Sequence, residues 1–445
     1  MYISKISLKN IRGFKSLDFD LHRGDGKYAG WTVFTGSNGS GKSTLLKAIA
    51  FCLFDTDTKV VLQRDFGFFR RKGSNGELCR IDLNFFRCSA DDSTPPGPSH
   101  TNYPDWKTDY HEGISIDPGP FSPGLTSGEP GGVFTNHRYY ANPVLQPPNS
   151  EILITPLKGW FACGYGPFRR ITSPKENVEQ IQQREDSKRF ATLFLEGASL
   201  SEVAPWLIKL KLQEYEGSEE AANQLAFFLD FIRDSFLPDG FSVDRVDSEG
   251  LWLKDSNGVE LPWFDMSDGQ RVAIILVADI LRHMIGAFGL EGLYDHDKNG
   301  KIYIKRSGVV LIDEIDAHLH PSWQREIGFW LKRHFPKVQF LVTSHSPIIL
   351  QAADPNGLFV LPEPGSEDEP RPLSDEEYRE IIASTTDTAL LSDAFGLQNT
   401  RSPLAVDNRA EYARLDRKKK GGAALSATEE ADLKRLESFV LADPE

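Results

Sequence analysis

The stretch GSNGSGKS occupies residues 36–43 and matches the phosphate-loop pattern G-x-x-x-x-G-K-[ST]. An apolar strand, WTVF, precedes it and a helix, TLLKAIAF, follows it, which is the context that this pattern needs. Glycines let such a loop curl so that backbone N–H groups point at phosphate oxygens, and the helix adds the positive end of its dipole. The predicted phosphate-binding residues are Gly36, Ser37, Asn38, Gly39, Ser40, Gly41, Lys42, Ser43 and Thr44.

Two side chains of this loop carry specific chemistry. The ammonium of Lys42 is expected to neutralise the β- and γ-phosphates of a nucleotide, and the hydroxyl of Ser43 is expected to hold Mg²⁺. The stretch therefore predicts an α/β domain that binds a nucleotide through its phosphates, together with Mg²⁺.

A second stretch, GVVLIDE at residues 308–314, reads as a buried strand that ends in two acids. Ligands bind outside the carboxyl ends of the strands in open α/β sheets, so the two acids are expected beside the phosphate loop. Asp313 would then hold Mg²⁺, and Glu314 would be the catalytic residue that orients the attacking water. An apolar strand ending in Asp-Glu is common, and its pairing with a phosphate loop is what makes it informative.

Two more stretches end in residues suited to phosphate. MSDGQR (266–271) precedes the helix VAIILVADILRHM, which places Ser267 and the backbone of Gly269 at a helix N-terminus that can bind a terminal phosphate. A plain helix cap is the alternative interpretation of that stretch. LVTSHSP (341–347) reads as a strand that ends at His345, a candidate catalytic residue that would hydrogen-bond a γ-phosphate and the attacking water.

Composition limits the classes of protein that this chain can be. A net charge of −14 argues against a dedicated nucleic-acid coat but leaves room for a local basic groove. No apolar run approaches the roughly 20 residues that span a bilayer, and the N-terminus has no apolar core typical of a signal peptide. The four cysteines are scattered, without a Cys-x-x-Cys pair. We expect a cytoplasmic protein with no membrane partner.

Residues 89–150 differ sharply in composition from the rest of the chain. They hold 11 of its 27 prolines together with many glycines, so we expect a surface insertion without regular helix or sheet interior. The predicted organisation is an N-terminal lobe with the phosphate loop (1–88), this insertion (89–150), a strand with a helical lobe and a hairpin (151–257), a C-terminal lobe (258–365) and a helical tail (366–445).

The four motifs, in this order, resemble those of the ABC-type ATPases of the SMC/RecF/OLD superfamily. The N-terminal segment IRGFKSLDFDL is similar to the opening turn of RecF-like proteins, which implies that Arg12 lies near the nucleotide. The resemblance implies an α/β phosphate-loop head with a mixed sheet, a helical lobe with an insertion, and a helical C-terminal tail. It also implies a head-to-tail dimer in which Ser267, Gly269 and Gln270 bind the ATP held by a second copy of the chain.

One departure from this family affects the expected mechanism. Family members carry a glutamine loop that contacts Mg²⁺ and water, whereas the matching segment, GWFACGYGPFRR (159–170), contains no glutamine, and Gln63 is a poor substitute. Either Arg169 or Arg170 contacts this region, or turnover is modified. Slow hydrolysis is expected in either case.

Three functions compete on these residues. No Asp-x-Asp follows Ser346, so a Toprim nuclease domain is not expected. The phrase GYGPFRR and the tail make the chain similar to the ATPase subunit of Septu or retron-linked antiphage systems, which implies a separate HNH nuclease partner. The alternative is a RecF-like ATPase that clamps DNA directly, through basic residues at 64–73, Arg169, Arg170 and 417–420. A transporter nucleotide domain is disfavoured because the glutamine loop is missing.

Two stretches imitate metal sites. DEIDAHLHP (313–321) contains His318 and His320, which we interpret as interface and hydrogen-bonding residues rather than zinc ligands, and Pro321 suits the first turn of the next helix. DHDKNGKIYIKR (295–306) begins like an EF-hand loop, but position 12 is an arginine where a bidentate glutamate is needed, so a turn is predicted.

Overall fold

A computed structural model gives the conformation of most of the chain. The residues that it describes are 1–24, 26–53, 58, 62, 66–73, 79–86, 110–117, 133–140, 161–169, 185–234, 236–237, 240–366, 368–392, 394–395, 397 and 399–441. They form two compact units, Met1–Ser384 and Thr385–Glu445. Gln63 and Arg170, two candidates for the missing glutamine loop, lie outside the described residues.

The strands, in chain order, are β1 (Tyr2–Ile11), β2 (Phe14–Asp20), β3 (Gly30–Thr35), β4 (Cys79–Phe86), β5 (Tyr110–Asp117), β6 (Val133–Tyr140), β7 (Ala162–Tyr165), β8 (Ser242–Asp247), β9 (Gly250–Lys254), β10 (Glu260–Pro262), β11 (Tyr294–His296), β12 (Ile302–Ile304), β13 (Gly308–Ile312), β14 (Val338–Thr343), β15 (Leu358–Val360) and β16 (Arg371–Pro372).

The α-helices are α1 (Lys42–Cys52), α2 (Glu185–Lys188), α3 (Ala191–Phe194), α4 (Val203–Tyr215), α5 (Glu219–Arg233), α6 (Asp268–Phe288), α7 (Pro321–His334), α8 (Pro347–Leu350), α9 (Asp375–Ala383), α10 (Thr386–Leu391), α11 (Pro403–Lys420) and α12 (Ala427–Leu441). Short 3₁₀ helices cover Phe66–Phe69 and Trp263–Asp265 in the described part of the chain.

A mostly parallel sheet with the strand order β16-β15-β3-β14-β13-β7 positions the predicted motifs. Its strands pair in parallel from β15 through β7, and only β16 runs antiparallel, at the edge. Every residue of β13 and β14 is buried, as expected of parallel strands covered on both faces. Because β3, β14 and β13 are neighbours, the phosphate loop, the histidine strand and the acidic strand end meet at one edge of this sheet.

A second sheet, β2-β1-β4-β5-β6, is antiparallel throughout. Helix α1 joins the two sheets, since its buried side chains share one hydrophobic core with both: Leu45 and Ile49 from the helix, Ile6 and Leu83 from the antiparallel sheet, and Leu341 from the parallel sheet. The predicted α/β head with a mixed sheet is thereby confirmed.

The insertion at 89–150 corrects one prediction. We expected no regular structure there, yet β5 and β6 pair with each other and extend the antiparallel sheet from β4. The physical reason lies in where the prolines fall. None of the insertion's prolines lies within Tyr110–Asp117 or Val133–Tyr140, so every backbone N–H of these two segments can join a ladder.

The remaining predicted elements agree with the structure in outline. Helices α4 and α5 form the predicted helical region, and the predicted hairpin is a three-stranded meander of β8, β9 and β10, with Gly258 at a positive φ of 80° in its second turn. In the unit Thr385–Glu445, α11 and α12 pack through a small core that includes Leu415 and Leu436. Among the described residues, no helix combines the length and apolar character that crossing a bilayer requires.

Candidate functional site

The phosphate loop connects β3 to α1 at the edge of the parallel sheet. Gly41 precedes the helix with a φ of 98°, and a Cβ there would lie 2.6 Å from the ring of Phe14. Glycine is therefore required at this position both by backbone conformation and by space. Ser37 and Ser40 each hold a buried hydroxyl that has no hydrogen-bond partner among the described residues. A loop with unused buried donors is ready to bind an oxygen-rich ligand.

Lys42 closes over this loop from its position at the start of α1. Its Nζ donates hydrogen bonds of 2.9 Å to the backbone oxygens of Gly36 and Ser37, and the residue is 5% exposed. Burial lowers the pKa of Lys42, and the carboxylates of Asp313 and Glu314 oppose that shift. The ammonium thus lies within electrostatic reach of the acidic strand end, although the two motifs are about 270 residues apart in sequence.

Asp313 follows the last residue of β13 and is fully buried. Its Oδ1 accepts a hydrogen bond of 2.6 Å from the hydroxyl of Thr343, whereas its Oδ2 is buried with no hydrogen-bond partner among the described residues. A buried carboxylate oxygen without a donor is costly unless a cation meets it. This donor set fits a hard, oxygen-binding cation such as Mg²⁺.

Glu314 has an unusual backbone conformation for its residue type. Its φ is 46°, a left-handed value that costs a residue with a Cβ roughly 1 kcal/mol or more. Its N–H donates a hydrogen bond of 2.7 Å to the hydroxyl of Thr343, which fixes one side of this strained peptide. The side chain is half-buried; burial, followed by the charges of Asp313 and Asp316, raises the pKa of Glu314. A carboxylate with a raised pKa is suited to accept a hydrogen bond from a water molecule.

His345 lies two residues after the end of β14, the strand between β3, which leads into the phosphate loop, and β13, which leads into the acidic pair. Burial lowers the pKa of His345, and the nearby Lys42 ammonium lowers it further, so the imidazole is neutral at neutral pH. Its Nε2 is buried and has no hydrogen-bond partner among the described residues. The preceding Ser344 donates a hydrogen bond of 2.6 Å to Asp316, which ties the histidine strand to the segment after the acidic pair.

Ser267 is exposed and is the N-cap of α6, as the helix-cap interpretation predicts. The Ser267 hydroxyl accepts from the Gln270 N–H at 3.4 Å, and the Ser267 N–H donates to the Gln270 side chain at 3.3 Å, which forms a capping box. A Cβ on Gly269 would lie 2.2 Å from the backbone oxygen of His318. The start of α6 therefore abuts the end of the acidic segment within one chain.

Arg12 shares a cleft with the phosphate loop. The cleft has a volume of about 1070 Å³ and is lined by Arg12, Gly39 and Ser40, among others. The Arg12 guanidinium lies 3.8 Å from the centre of the Phe68 ring, and its Nε donates to the Phe68 backbone oxygen. These contacts fix the arginine in the cleft that Gly39 and Ser40 also line. Of the other predicted loop residues, Asn38 is exposed while Ser43 and Thr44 are half-buried.

Two residues of this site make contacts that the sequence did not specify, although Arg169 was one of the two arginines expected near the missing glutamine loop. Thr343 bonds to both members of the acidic pair, and only its place at the end of a predicted strand hinted at this. Arg169, which we included in a basic face for DNA, is 3% exposed and cannot reach an external phosphate. That part of the prediction is wrong, because the side chain turns inward to the backbone after Asp313.

The two stretches that imitate metal sites have structural roles. His320 is the N-cap of α7, with Nδ1 3.4 Å from the Ser322 N–H, and Pro321 occupies the first turn as predicted. The EF-hand-like stretch is the turn between β11 and β12, where Asp297 accepts from the Lys301 N–H at 2.9 Å. In the described part of the chain, no group of three or more His, Cys, Asp or Glu side chains is placed to hold a metal ion.

The order of the strands and the motifs at their ends define the class: a phosphate-loop ATPase domain of the ABC type. Family models agree with this. A model described as "AAA domain" matches residues 5–85, and one described as "AAA domain, putative AbiEii toxin, Type IV TA system" matches residues 154–351.

Known proteins narrow the class further. The chain is 24% identical over 352 residues to a Septu protein PtuA of Bacillus mycoides, an alignment that covers 79% of this chain and 39% of that protein. It is 38% identical over 128 residues to the Retron Ec83 probable ATPase of Escherichia coli, covering 28% of this chain and 22% of that protein. The chain spans less than half the length of the curated relatives that it matches.

Among solved structures, the chain aligns with an SMC head bound to the C-winged helix domain of ScpA, with a TM-score of 0.46 and 16% identity over 85% of this chain and 99% of that one. The predicted resemblance is confirmed: the chain is similar to the Septu PtuA and retron ATPases, and AAA domain models match its two motif-bearing regions.

Proposed function

We propose that this chain binds ATP with Mg²⁺ and hydrolyses it at the edge of the parallel sheet. The observation that carries the proposal is the buried Oδ2 of Asp313, which has no donor among the described residues and lies on the strand next to the histidine strand. A cation at that oxygen would remove the cost of burying it. The unused hydroxyls of the phosphate loop and the nearby Lys42 supply the matching anion site.

In this proposal each residue has a separate task. Lys42 leaves the loop carbonyls and meets the β- and γ-phosphates, while Ser43 and Asp313 hold Mg²⁺. The cation, when bound, neutralises charge on the phosphates. Glu314 orients the attacking water and His345 hydrogen-bonds the γ-phosphate, a role that suits its neutral imidazole.

The substitution Glu314→Gln tests this assignment. It keeps the size of the side chain and removes its charge, so ATP binding should be retained while turnover falls by about 100-fold or more. Glu326→Gln is the matched control, because that carboxylate lies on α7 with 63% of its side chain exposed. Unchanged turnover in Glu314→Gln would show that Glu314 does not orient the water.

We further propose that two copies of the chain close head to tail over the nucleotides, with Ser267, Gly269 and Gln270 contacting the ATP of the partner. Support comes from the exposed start of α6, where Ser267 is exposed and the preceding Phe264 is 51% exposed. A helix N-terminus facing solvent is available to an anion on another molecule. Sedimentation of Glu314→Gln with and without ATP should show an ATP-dependent dimer, and adding Ser267→Arg should abolish the dimer while sparing ATP binding.

We propose a role in antiphage defence, which the likeness to Septu and retron ATPases supports. We also propose a separate HNH nuclease as partner, as the resemblance of the sequence implies. The unit Thr385–Glu445 is the proposed docking site, because Leu404 and Leu391 are 63% and 48% exposed on it. Co-purification of the tagged chain from its native host should recover the nuclease. Leu404→Glu should reduce that recovery, whereas Leu212→Glu, at a 57% exposed site on α4, should not. Recovery of no nuclease would contradict this partner.

The second candidate function, direct clamping of DNA, is favoured by one observation. Lys15, Arg70, Arg71 and Lys72 line the cleft that also contains Arg12. Basic side chains around one cleft can neutralise phosphates even in an acidic protein. Binding of duplex DNA should then weaken steeply with salt, and the double substitution Lys15→Glu and Lys72→Glu should abolish it. Equal DNA binding by that variant would exclude the cleft.

A further inference from the structure

Arg169 lies in the segment that follows β7, where the related ATPases carry a glutamine loop. Its side chain is buried, with 3% of the residue exposed. Rather than pointing to solvent, it extends to the segment Asp313–Ala317, which begins at the end of the neighbouring strand β13. A buried arginine needs partners for its donors. Both Nη atoms find them, mainly in this segment, whereas Nε has no hydrogen-bond partner among the described residues.

The guanidinium donates to several carbonyl oxygens at once. Nη1 lies 2.8 Å from the Asp313 oxygen and 3.1 Å from the Gly166 oxygen. Nη2 lies 3.0 Å from the Glu314 oxygen and 3.3 Å from the Ala317 oxygen. Only a planar fork with separate donor nitrogens can span these carbonyls, since lysine offers a single nitrogen.

The segment that Arg169 holds has an unfavourable backbone conformation, which contacts from elsewhere in the chain must stabilise. Glu314 and His318 have φ values of 46° and 68°, both in the left-handed region. Two such residues within five positions persist only where the surroundings over-determine them. Arg169 fixes the carbonyl of Glu314 on one side, and Thr343 fixes its N–H on the other. The peptide on each side of the Glu314 α-carbon is therefore anchored by a side chain from another strand end.

The charge of Arg169 suits this position as well. Burial lowers the pKa of Arg169 to about 10, while Asp313, Asp316 and Glu314 oppose the shift. The guanidinium therefore remains charged at neutral pH, where it offsets part of the negative charge that three neighbouring carboxylates bring to one edge of the sheet. Replacing it by a neutral side chain would leave those carboxylates facing one another.

We propose that Arg169 is a positioning residue for ATP turnover: by holding the carbonyls of Asp313, Glu314 and Ala317, it keeps the Glu314 carboxylate at the phosphate-loop edge of the sheet. The inference rests on the hydrolysis proposed above. In the related ATPases, a glutamine in the corresponding segment is expected to contact Mg²⁺ and water. In this chain the segment carries Arg169 instead, which acts through the backbone of the acidic segment.

The test compares two Arg→Lys substitutions in the full chain. Arg169→Lys keeps the charge and removes the fork. Arg233→Lys is the matched control, because Arg233 also donates to a backbone oxygen, that of Val243 at 3.0 Å, in the helical region. For Arg169→Lys we expect kcat to fall about 10- to 100-fold, with the affinity for a non-hydrolysable ATP analogue within about 3-fold of wild type. Arg233→Lys should leave both quantities unchanged.

Measurements of stability and of chemical rescue distinguish a positioning role of Arg169 from a role in folding. The Tm of Arg169→Lys should fall by less than about 5 °C. In Arg169→Ala, guanidinium chloride at low millimolar concentration should restore part of kcat, and methylammonium chloride should not, because only guanidinium offers the fork. Both results support positioning.

Three results would overturn the inference. The first is an unchanged kcat in Arg169→Lys. The second is an equal loss of kcat and analogue affinity, which would assign Arg169 to binding. The third is an Arg169→Lys protein that does not fold, which would assign Arg169 to the fold. Failure of the proposed function is a different result. In that case wild-type protein would show no ATP turnover, whereas failure of this inference alone leaves wild-type turnover intact and Arg169→Lys equally active.

Discussion

Replacing Thr343 by valine should remove the hydroxyl that hydrogen-bonds both Asp313 and Glu314. The Thr343 hydroxyl donates to Asp313 at 2.6 Å and accepts from the Glu314 N–H at 2.7 Å. Thr343 and Asp313 are fully buried, so water cannot replace these bonds without rearrangement. Valine keeps the shape and the β-branched character of threonine, so packing within β14 should change little and the loss should be that of the hydroxyl.

The magnitude follows from the two bonds. A hydrogen bond to a charged group contributes about 1.5–3 kcal/mol and a neutral one about 1 kcal/mol, and a buried N–H left without an acceptor adds to the cost. We expect Thr343→Val to lower the free energy of unfolding by about 2–4 kcal/mol. Glu314 then loses the contact that fixes its left-handed φ, so its backbone can relax to an ordinary conformation. Each 1.4 kcal/mol favouring that relaxation lowers turnover about tenfold, and a fall of about 10- to 100-fold in kcat is expected.

The assay pairs urea unfolding with steady-state ATP turnover, and Thr343→Ser is the control. Serine keeps the hydroxyl and both bonds, so it should retain most of the turnover despite losing a methyl group. Affinity for a non-hydrolysable ATP analogue should be similar in all three proteins, because the phosphate loop is untouched. The reasoning is refuted if Thr343→Val unfolds within 1 kcal/mol of wild type and turns over ATP within about twofold of it.

Three further substitutions test other parts of the molecule. Lys42→Ala should weaken ATP binding itself, measured by calorimetry, rather than kcat alone. Gly269→Ala should lower the free energy of unfolding in urea by about 1–3 kcal/mol, because its Cβ would lie 2.2 Å from the His318 oxygen; Gly286→Ala in the same helix meets nothing within 4 Å and should be neutral or stabilising. Asp279→Ala should cost about 3–5 kcal/mol at neutral pH, and its difference from wild type should shrink as the pH falls below about 4.

The pH dependence expected for Asp279 follows from its surroundings in α6. Burial raises the pKa of this carboxyl, but His283 and Arg282 lower it by more, so the net pKa lies well below its usual value. Arg282 donates at 2.8 Å and the hydroxyl of Tyr165 at 3.0 Å. A carboxyl whose folded-state pKa is depressed stabilises the fold above its unfolded-state pKa, and protonation at low pH removes that contribution.

Local patterns predicted the parts of the site that local physics determines. The phosphate loop, its flanking strand and helix, and the acidic end of β13 were recognised because glycine spacing and short apolar runs specify them within about a dozen residues. The S-x-x-E pattern at Ser426 and Glu429 is a local signal of the same kind, and the structure shows both bonds of a capping box there. The insertion at 89–150 misled us because composition was averaged over 62 residues, whereas a strand needs only eight without proline.

The contacts that hold the acidic segment in place could not be predicted this way. Asp313–His318 is held by Arg169, which is 144 residues from Asp313, by Thr343, which is 30 residues from it, and by close packing against Gly269. Each contact joins separate strand ends or a helix start, so no sequence window contains both partners. The missing glutamine at 159–170 was nevertheless a local signal that this segment departs from its relatives. In the structure, Arg169 of this segment donates hydrogen bonds to the backbone around Glu314. The missing glutamine and the contact made by Arg169 therefore affect the same part of the site.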